Sequence, residues 1–198
     1  MDTSKTKYEV DIMVKVYPGG RFSDTFLNDC ASPAALKYRI VDSVSGPQLR
    51  RNHMAPSVIV ATGAGFGPVR CLLQWRVATI RKTFAARQQS HPWGSGISLF
   101  LGLKECDLQL VVDVLNEAMS VNLIDRLDIV LSNPEKRRVY DHLTFAAQHI
   151  RDKILSRRGM IFICAGGLAA EGAKRMFERI LGGHVEAALG ERYVEEVY

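Results

Sequence analysis

The stretch from Ser57 to Arg76, SVIVATGAGFGPVRCLLQWR, constrains the fold more than any other part of this chain. It opens with Val58-Ile59-Val60, a β-branched run of the kind buried in a parallel sheet. Gly63, Gly65 and Gly67 follow, spaced by Ala64 and Phe66. Pro68 stands where a helix begins, because its fixed φ and missing N–H suit the first turn. From Val69 to Lys82 the residues Val69, Leu72, Leu73, Val77 and Ile80 keep helical spacing. A strand, a glycine turn and a helix start aim free backbone N–H groups and a helix dipole at one spot, which makes a seat for phosphate. The same residues also suit an ordinary strand-to-helix turn that uses glycine for close packing. The pattern alone does not choose between them.

Beyond this stretch the alternation is regular. Ile97 to Leu101, Leu127 to Leu131 and Met160 to Cys164 read as strands. Leu108 to Met119, Val139 to Arg157, Ala169 to Leu181 and Val185 to Leu189 read as helices, with Gly182-Gly183 stopping the third of these. Strands alternating with helices predict an α/β domain: a parallel sheet of about five strands with helices on both faces. Ligands in such sheets bind at the carboxyl ends of the strands, where the strand order reverses. Gly63, Gly102, Ser132 and Cys164 all fall at those ends. The first quarter is different. Tyr8 to Val16 alternates as a strand, Pro18-Gly19-Gly20 is a turn, and Ser23 or Asp24 caps a short helical segment through Asn28. Lys37 to Val44 is a further candidate strand, and Gly46 to Asn52 reads as loop. With too few apolar residues for its own core, segment 1–56 is expected to be a flap against the domain that spans 57–198.

Composition narrows the function class. Of 198 residues 47% are hydrophobic and 24% charged, as in an ordinary globular protein. The formal charge of +5 is spread out except at Lys136-Arg137-Arg138 and Arg157-Arg158. That argues for a small anionic ligand and against an extended nucleic-acid surface. Cys30, Cys71, Cys106 and Cys164 form no metal-binding spacing, so free thiols and no metal are expected. No apolar run reaches the roughly 20 residues of a membrane span, and MDTSKTK is neither a signal nor a transit peptide. The expectation is a cytoplasmic protein.

Taken together, four motifs resemble the nucleotide-binding half of the ferredoxin–NADP reductase family, which includes the reductase modules of diflavin enzymes. Ala61-Thr62-Gly63-Ala64-Gly65-Phe66-Gly67-Pro68 resembles the family's pyrophosphate loop, with Gln74 and Arg76 matching the helix after it. Ala64 stands where the family usually has a threonine. Leu99 to Lys104 resembles the second motif, in which Lys104 matches a basic residue approaching the dinucleotide. At the next strand end, Ser132, Arg138, Tyr140 and His142 match the family's readers of NADP. A hydroxyl and a guanidinium suit a dianionic 2′-phosphate, and a tyrosine ring suits adenine. Asn133 replaces an arginine of that set, a loss for which Lys136 or Arg137 offers compensation. Phe162 to Gly167 resembles the cysteine–glycine segment, whose thiol, here Cys164, lies beside the nicotinamide and the flavin. Ala165 and Gly166 depart from it.

The ending ERYVEEVY resembles the family's C-terminus. The resemblance implies that Glu196 helps to organise the hydride-transfer site and that Tyr198 covers the flavin ring until nicotinamide displaces it. It implies NADP(H) and FAD as cofactors, and a haem, iron–sulfur or flavodoxin-like electron acceptor as partner. Gly20 to Leu27 resembles the segment that meets the FAD pyrophosphate, with Ser23 in the hydroxyl position, but the earlier barrel strands and their flavin motif are missing. The resemblance thus implies that 1–56 is a short remnant of a flavin-binding β-barrel before an NAD(P)-binding domain spanning 57–198. The leading expectation is therefore an NADPH-binding electron-transfer module, the C-terminal part of a larger or truncated flavin oxidoreductase. The alternative is a non-catalytic nucleotide- or partner-binding domain derived from one. An ordinary dinucleotide dehydrogenase fits less well, because Arg81 to Gln89 holds no acidic ribose reader.

Overall fold

The computed structural model describes residues 18–19, 45–87, 96–132 and 137–198. The chain divides into two units, residues 1–38 and 39–198. Within the first, Pro18 and Gly19 form a turn, with Gly19 at φ +73°. The expected strands over Tyr8 to Val16 and Lys37 to Val44, and the segment following Ser23, lie outside the described residues.

Among the described residues of the second unit the first element is a short helix, α1 (Gly46–Arg51), where a loop was expected. Pro47 explains the difference: within the first turn its fixed φ promotes a helix, and its missing N–H costs nothing there. Then come β1 (Ser57–Thr62), a 3-10 turn over Gly63–Gly65 and α2 (Phe66–Arg87). β2 (Ile97–Leu103) leads to α3 (Gln109–Ser120) and β3 (Ile124–Leu131). The long helix expected from Val139 is broken. A 3-10 turn (Val139–Asp141) precedes α4 (His142–Phe145) and α5 (Ala147–Arg151), and a π turn covers Asp152–Ser156. β4 (Met160–Ala165), α6 (Gly167–Leu181), α7 (Val185–Leu189) and β5 (Tyr193–Val197) complete the unit. Gly182 ends α6 in the left-handed conformation, as the glycine pair predicts.

The five strands are all parallel, in the order β3-β2-β1-β4-β5. The fifth is the tail YVEEV, whose adjacent glutamates Glu195 and Glu196 put charge on a sheet edge. β1, β2 and β4 are the apolar runs, and they are buried almost throughout. Alternate side chains go to opposite faces. Val58, Val60, Ile161, Ile163 and Phe100 pack with Leu143, Ile150, Ala173, Phe177 and Val185 from α4 to α7. Residues of the other parity, among them Ile59, Leu99 and Phe162, are equally buried on the face that α2 covers, with α3 against α2.

A polar cluster reaches into this core at the amino ends of β2 and β3. The π turn carries Lys153 inward until it is fully buried. Its ammonium donates to Asp125 Oδ1 and Oδ2 at 2.7 and 2.5 Å, to Ser98 Oγ at 2.7 Å and to the Gly96 carbonyl at 3.0 Å. Burial pulls its pKa down, and the bonds to Asp125 pull it back up. His149 Nε2 lies 2.8 Å from the same Ser98 hydroxyl. The cluster sits at the opposite end of the sheet from the site described next.

Candidate functional site

Strand order determines where a site forms. β1, β2 and β3 step outward in one direction, whereas β4 and β5 lie on the other side of β1. The order therefore reverses between β1 and β4, and a crevice opens beyond their carboxyl ends. Into it project the glycine turn after β1 and residues Cys164 to Gly167 at the end of β4.

The glycines in the turn have separate reasons. Gly63 has φ +49°, a left-handed backbone that L side chains rarely adopt. Gly65 is required by space: a Cβ there would stand 2.0 Å from the Cys164 carbonyl oxygen. Ala64 is partly exposed in the turn, and Gly67 and Pro68 lie in the first turn of α2, which starts at Phe66 and so ahead of the start expected at Pro68. The Gly65 N–H donates to the Tyr198 hydroxyl at 3.0 Å. That hydroxyl donates in turn to the Thr62 carbonyl, and Thr62 Oγ1 lies 3.4 Å from it. The turn thus holds an oxygen acceptor at the start of a 22-residue helix. This is the chemistry a pyrophosphate oxygen requires, so the residues fit that group.

Sheet register makes the second cluster. Cys164 is the direct partner of Glu196 across β4 and β5, and in-register side chains share a face. The buried thiol donates to Glu196 Oε2 at 3.8 Å, and the Ser45 hydroxyl donates to Glu196 Oε1. Burial, and then the Glu196 charge, push the Cys164 pKa up to about 12, so it is a neutral thiol at physiological pH. Ser45 is a site residue that sequence reading missed. It occupies the N-cap position of α1 without a side-chain capping bond. A serine before Gly-Pro is a helix-start signal, but nothing local indicates that its hydroxyl reaches a residue 151 positions away. Around the cluster Leu168, Val197 and Tyr198 each expose more than half of their surface.

Arg76, matched in sequence to the helix after the loop, is fully buried. Its guanidinium donates to Ser57 Oγ at 2.8 Å and to the Asn52 carbonyl at 3.4 Å, which joins α2 to the segment entering β1. Burial lowers its pKa to about 9, which leaves it charged at neutral pH. Gln74 is exposed.

The remaining expected residues lie past β2 and β3. Lys104 is exposed directly after β2. Ser132 N–H donates to the Leu103 carbonyl at 2.9 Å, and its hydroxyl to the same oxygen at 3.3 Å. Arg138 is exposed, next to the 3-10 turn that carries Tyr140. The Tyr140 ring packs on α6, where a Cβ at Gly172 would stand 2.5 Å from it. His142 turns back along the sheet: its Nδ1 lies 3.7 Å from Asp128 Oδ1, three residues before the end of β3. The structure thus brings Gly63, Ala64, Gly65, Gly67, Pro68, Cys164, Glu196 and Tyr198 together around one crevice. It pairs His142 at mid-strand instead. Ser23, Asn133 and Lys136 lie outside the described residues. Among the described residues, no group of His, Cys, Asp or Glu is placed to hold a metal ion, and no helix is long and apolar enough to cross a membrane.

No family model matches the chain, and no curated protein matches it in sequence. Solved structures do match. A histidine-to-leucine variant of Plasmodium falciparum ferredoxin–NADP+ reductase with 2'P-AMP is 20% identical, with a TM-score of 0.51 over 76% of this chain and 54% of that one. A histidine-to-lysine variant of the same reductase in complex with 2'P-AMP is 19% identical, with a TM-score of 0.51 over 76% of this chain and 55% of that one. The Plasmodium falciparum reductase itself is 19% identical, with a TM-score of 0.50 over 76% and 53%. The chain therefore spans about half the length of the reductases it matches. It has a ferredoxin reductase-like fold, and its five-stranded parallel sheet fits the NADP-binding lobe of that fold.

Proposed function

We propose that this chain is the NADPH-binding lobe of a flavin oxidoreductase. The supporting observation is the meeting of two kinds of chemistry at the reversal between β1 and β4. A glycine turn with an oxygen acceptor on Gly65 N–H lies against a strand end that carries a neutral thiol beside a carboxylate. When bound, NADPH supplies a hydride and FAD accepts it. The chain's own part is to bind and to orient.

In this reading Gly63, Ala64, Gly65, Gly67 and Pro68 seat the pyrophosphate through backbone N–H groups and the α2 dipole. Ser132 and Arg138 take the 2′-phosphate, Lys104 adds positive charge nearby, and Tyr140 offers the ring face not packed on α6. His142, held by Asp128, reaches that end only by giving up its present partner. The Cys164 thiol stays protonated, so it places no charge in the path of the hydride. Ser45 and Cys164 fix the Glu196 carboxylate, whose charge favours the positive charge that develops on the nicotinamide as hydride leaves. FAD would be held by residues outside the described set, Ser23 included, or by a separate flavin lobe. Electrons would pass on to a haem, iron–sulfur or flavodoxin-like partner.

A second reading, a nucleotide-binding domain without catalysis, draws on Ala64, Ala165 and Gly166, where the family's pattern is broken. Purified protein given excess FAD, NADPH and ferricyanide separates the two. Retained flavin with NADPH-dependent ferricyanide reduction supports the reductase. NADPH binding with neither flavin retention nor turnover leaves the binding domain.

A further inference from the structure

Tyr198, although half exposed, is seated on the glycine turn. Its hydroxyl accepts from Gly65 N–H at 3.0 Å, donates to the Thr62 carbonyl and lies 3.4 Å from Thr62 Oγ1. The ring covers the turn as well: Cε1 stands 3.0 Å from where a Gly65 Cβ would be, and the hydroxyl 3.6 Å from a Gly63 Cβ. Tyr198 N–H reaches the Ala165 carbonyl at 3.4 Å, which holds the residue at the end of β5 beside this crevice. With 53% of its surface exposed, the side chain is seated on the turn without being locked in the core.

We propose that Tyr198 is a self-ligand of the phosphate cradle, its phenol occupying the seat that the dinucleotide's pyrophosphate takes. The inference rests on the nucleotide-binding reading above and adds a regulation to it. Gly65 N–H has one hydrogen to give, so a phosphate oxygen that takes it must first displace the phenol. Affinity then falls by the fraction of molecules in which the seat is closed. This role differs from a cover over a flavin ring, because it acts on every ligand with a pyrophosphate, with or without nicotinamide. The Tyr198 hydroxyl is the element that sets the closed fraction. A change that weakens its two hydrogen bonds opens the cradle.

The test is calorimetric titration of the full chain, Tyr198→Phe and Tyr198→Ala with 2′-phospho-ADP-ribose, which has the pyrophosphate and lacks nicotinamide. Adenosine 2′-monophosphate, which lacks the pyrophosphate, is the control. Tyr198→Ala is expected to bind the first ligand about tenfold more tightly than the full chain does. Tyr198→Phe keeps the ring and loses the bonds, and should gain about threefold to tenfold. The control ligand should bind all three proteins alike. Unchanged or weaker binding of 2′-phospho-ADP-ribose by both variants overturns the self-ligand and leaves the nucleotide reading standing. An equal gain for the control overturns it too, since the effect would not be at the pyrophosphate. Failure of all three proteins to bind either ligand overturns both readings.

Discussion

Replacing Gly65 by alanine tests whether the turn is built by close approach. On the observed backbone the new carbon would stand 2.0 Å from the Cys164 carbonyl oxygen and 2.7 Å from its carbon. Close carbon–oxygen contacts in proteins settle near ~3.3 Å, so the overlap to be relieved is about 1.3 Å. A flexible side chain would swing aside. The obstacle here is the backbone of β4, paired with β1 on one side and β5 on the other. Overpacking costs roughly 1–3 kcal/mol, and a backbone fixed from both sides places this case near the top, about 3 kcal/mol. For a chain of this size, that corresponds to a fall in Tm of about 6–12 °C. Gly63→Ala is the companion variant. Its φ of +49° carries a conformational cost of about 1–2 kcal/mol. Its nearest new contact, the Tyr198 hydroxyl at 3.6 Å, is ordinary. Thermal melts followed by far-UV circular dichroism should rank wild type above Gly63→Ala and Gly63→Ala above Gly65→Ala. A Gly65→Ala protein melting within about 3 °C of wild type, or above Gly63→Ala, would refute the steric argument.

Two further predictions concern buried groups. Lys153→Met leaves Asp125 without its cation and the Gly96 carbonyl without its ammonium donor. Asp125 is about one-third exposed, with 32% side-chain accessibility, so water recovers part of the loss, and urea melts should show about 2–4 kcal/mol of destabilisation. A loss under about 0.5 kcal/mol, the range of ordinary surface substitutions, would mean that the cluster is not a structural tie. For Cys164, a pKa raised from 9.0 to about 12 means that the folded state holds the thiol proton more tightly than the unfolded chain does. Its contribution is complete below pH 9 and is lost as pH rises from 9 towards 12. At pH 8 its thiolate population is about a thousandfold lower than that of an unshifted thiol. Iodoacetamide should therefore modify the exposed Cys71 and Cys106 while Cys164 stays unmodified. Peptide mass mapping that finds all three labelled at one rate contradicts this assignment.

Much of the fold was legible because it rests on local patterns. The central strands are continuous apolar runs, which only a sheet covered on both faces requires, and Gly63 to Pro68 punctuate the first crossover as expected. What escaped reading depends on contacts distant in sequence. YVEEV has the composition of a solvated tail, and it is a strand only because β4 offers it an edge. The π turn that buries Lys153 interrupts an otherwise helical period to reach Asp125, which no window around Lys153 contains. In the site, Cys164 and Glu196 could be named from their motifs, and the sheet register makes them neighbours. Ser45 could not, because its role depends on where α1 comes to rest beside β5. The bond from Gly65 N–H to the Tyr198 hydroxyl and the pairing of His142 with Asp128 likewise join residues that the fold brings together and no local pattern announces.

The central claim is that this lobe takes NADP(H) with its 2′-phosphate at the end of β3. Titration calorimetry of NADP+ and NAD+ against the full chain and against Arg138→Ala tests it most directly. Charge-assisted bonds to a phosphate predict that the full chain binds NADP+ at least about tenfold more tightly than NAD+. Arg138→Ala should lose most of that preference while its NAD+ affinity stays unchanged. Equal affinities for the two dinucleotides in the full chain, or equal losses for both in Arg138→Ala, would contradict the account.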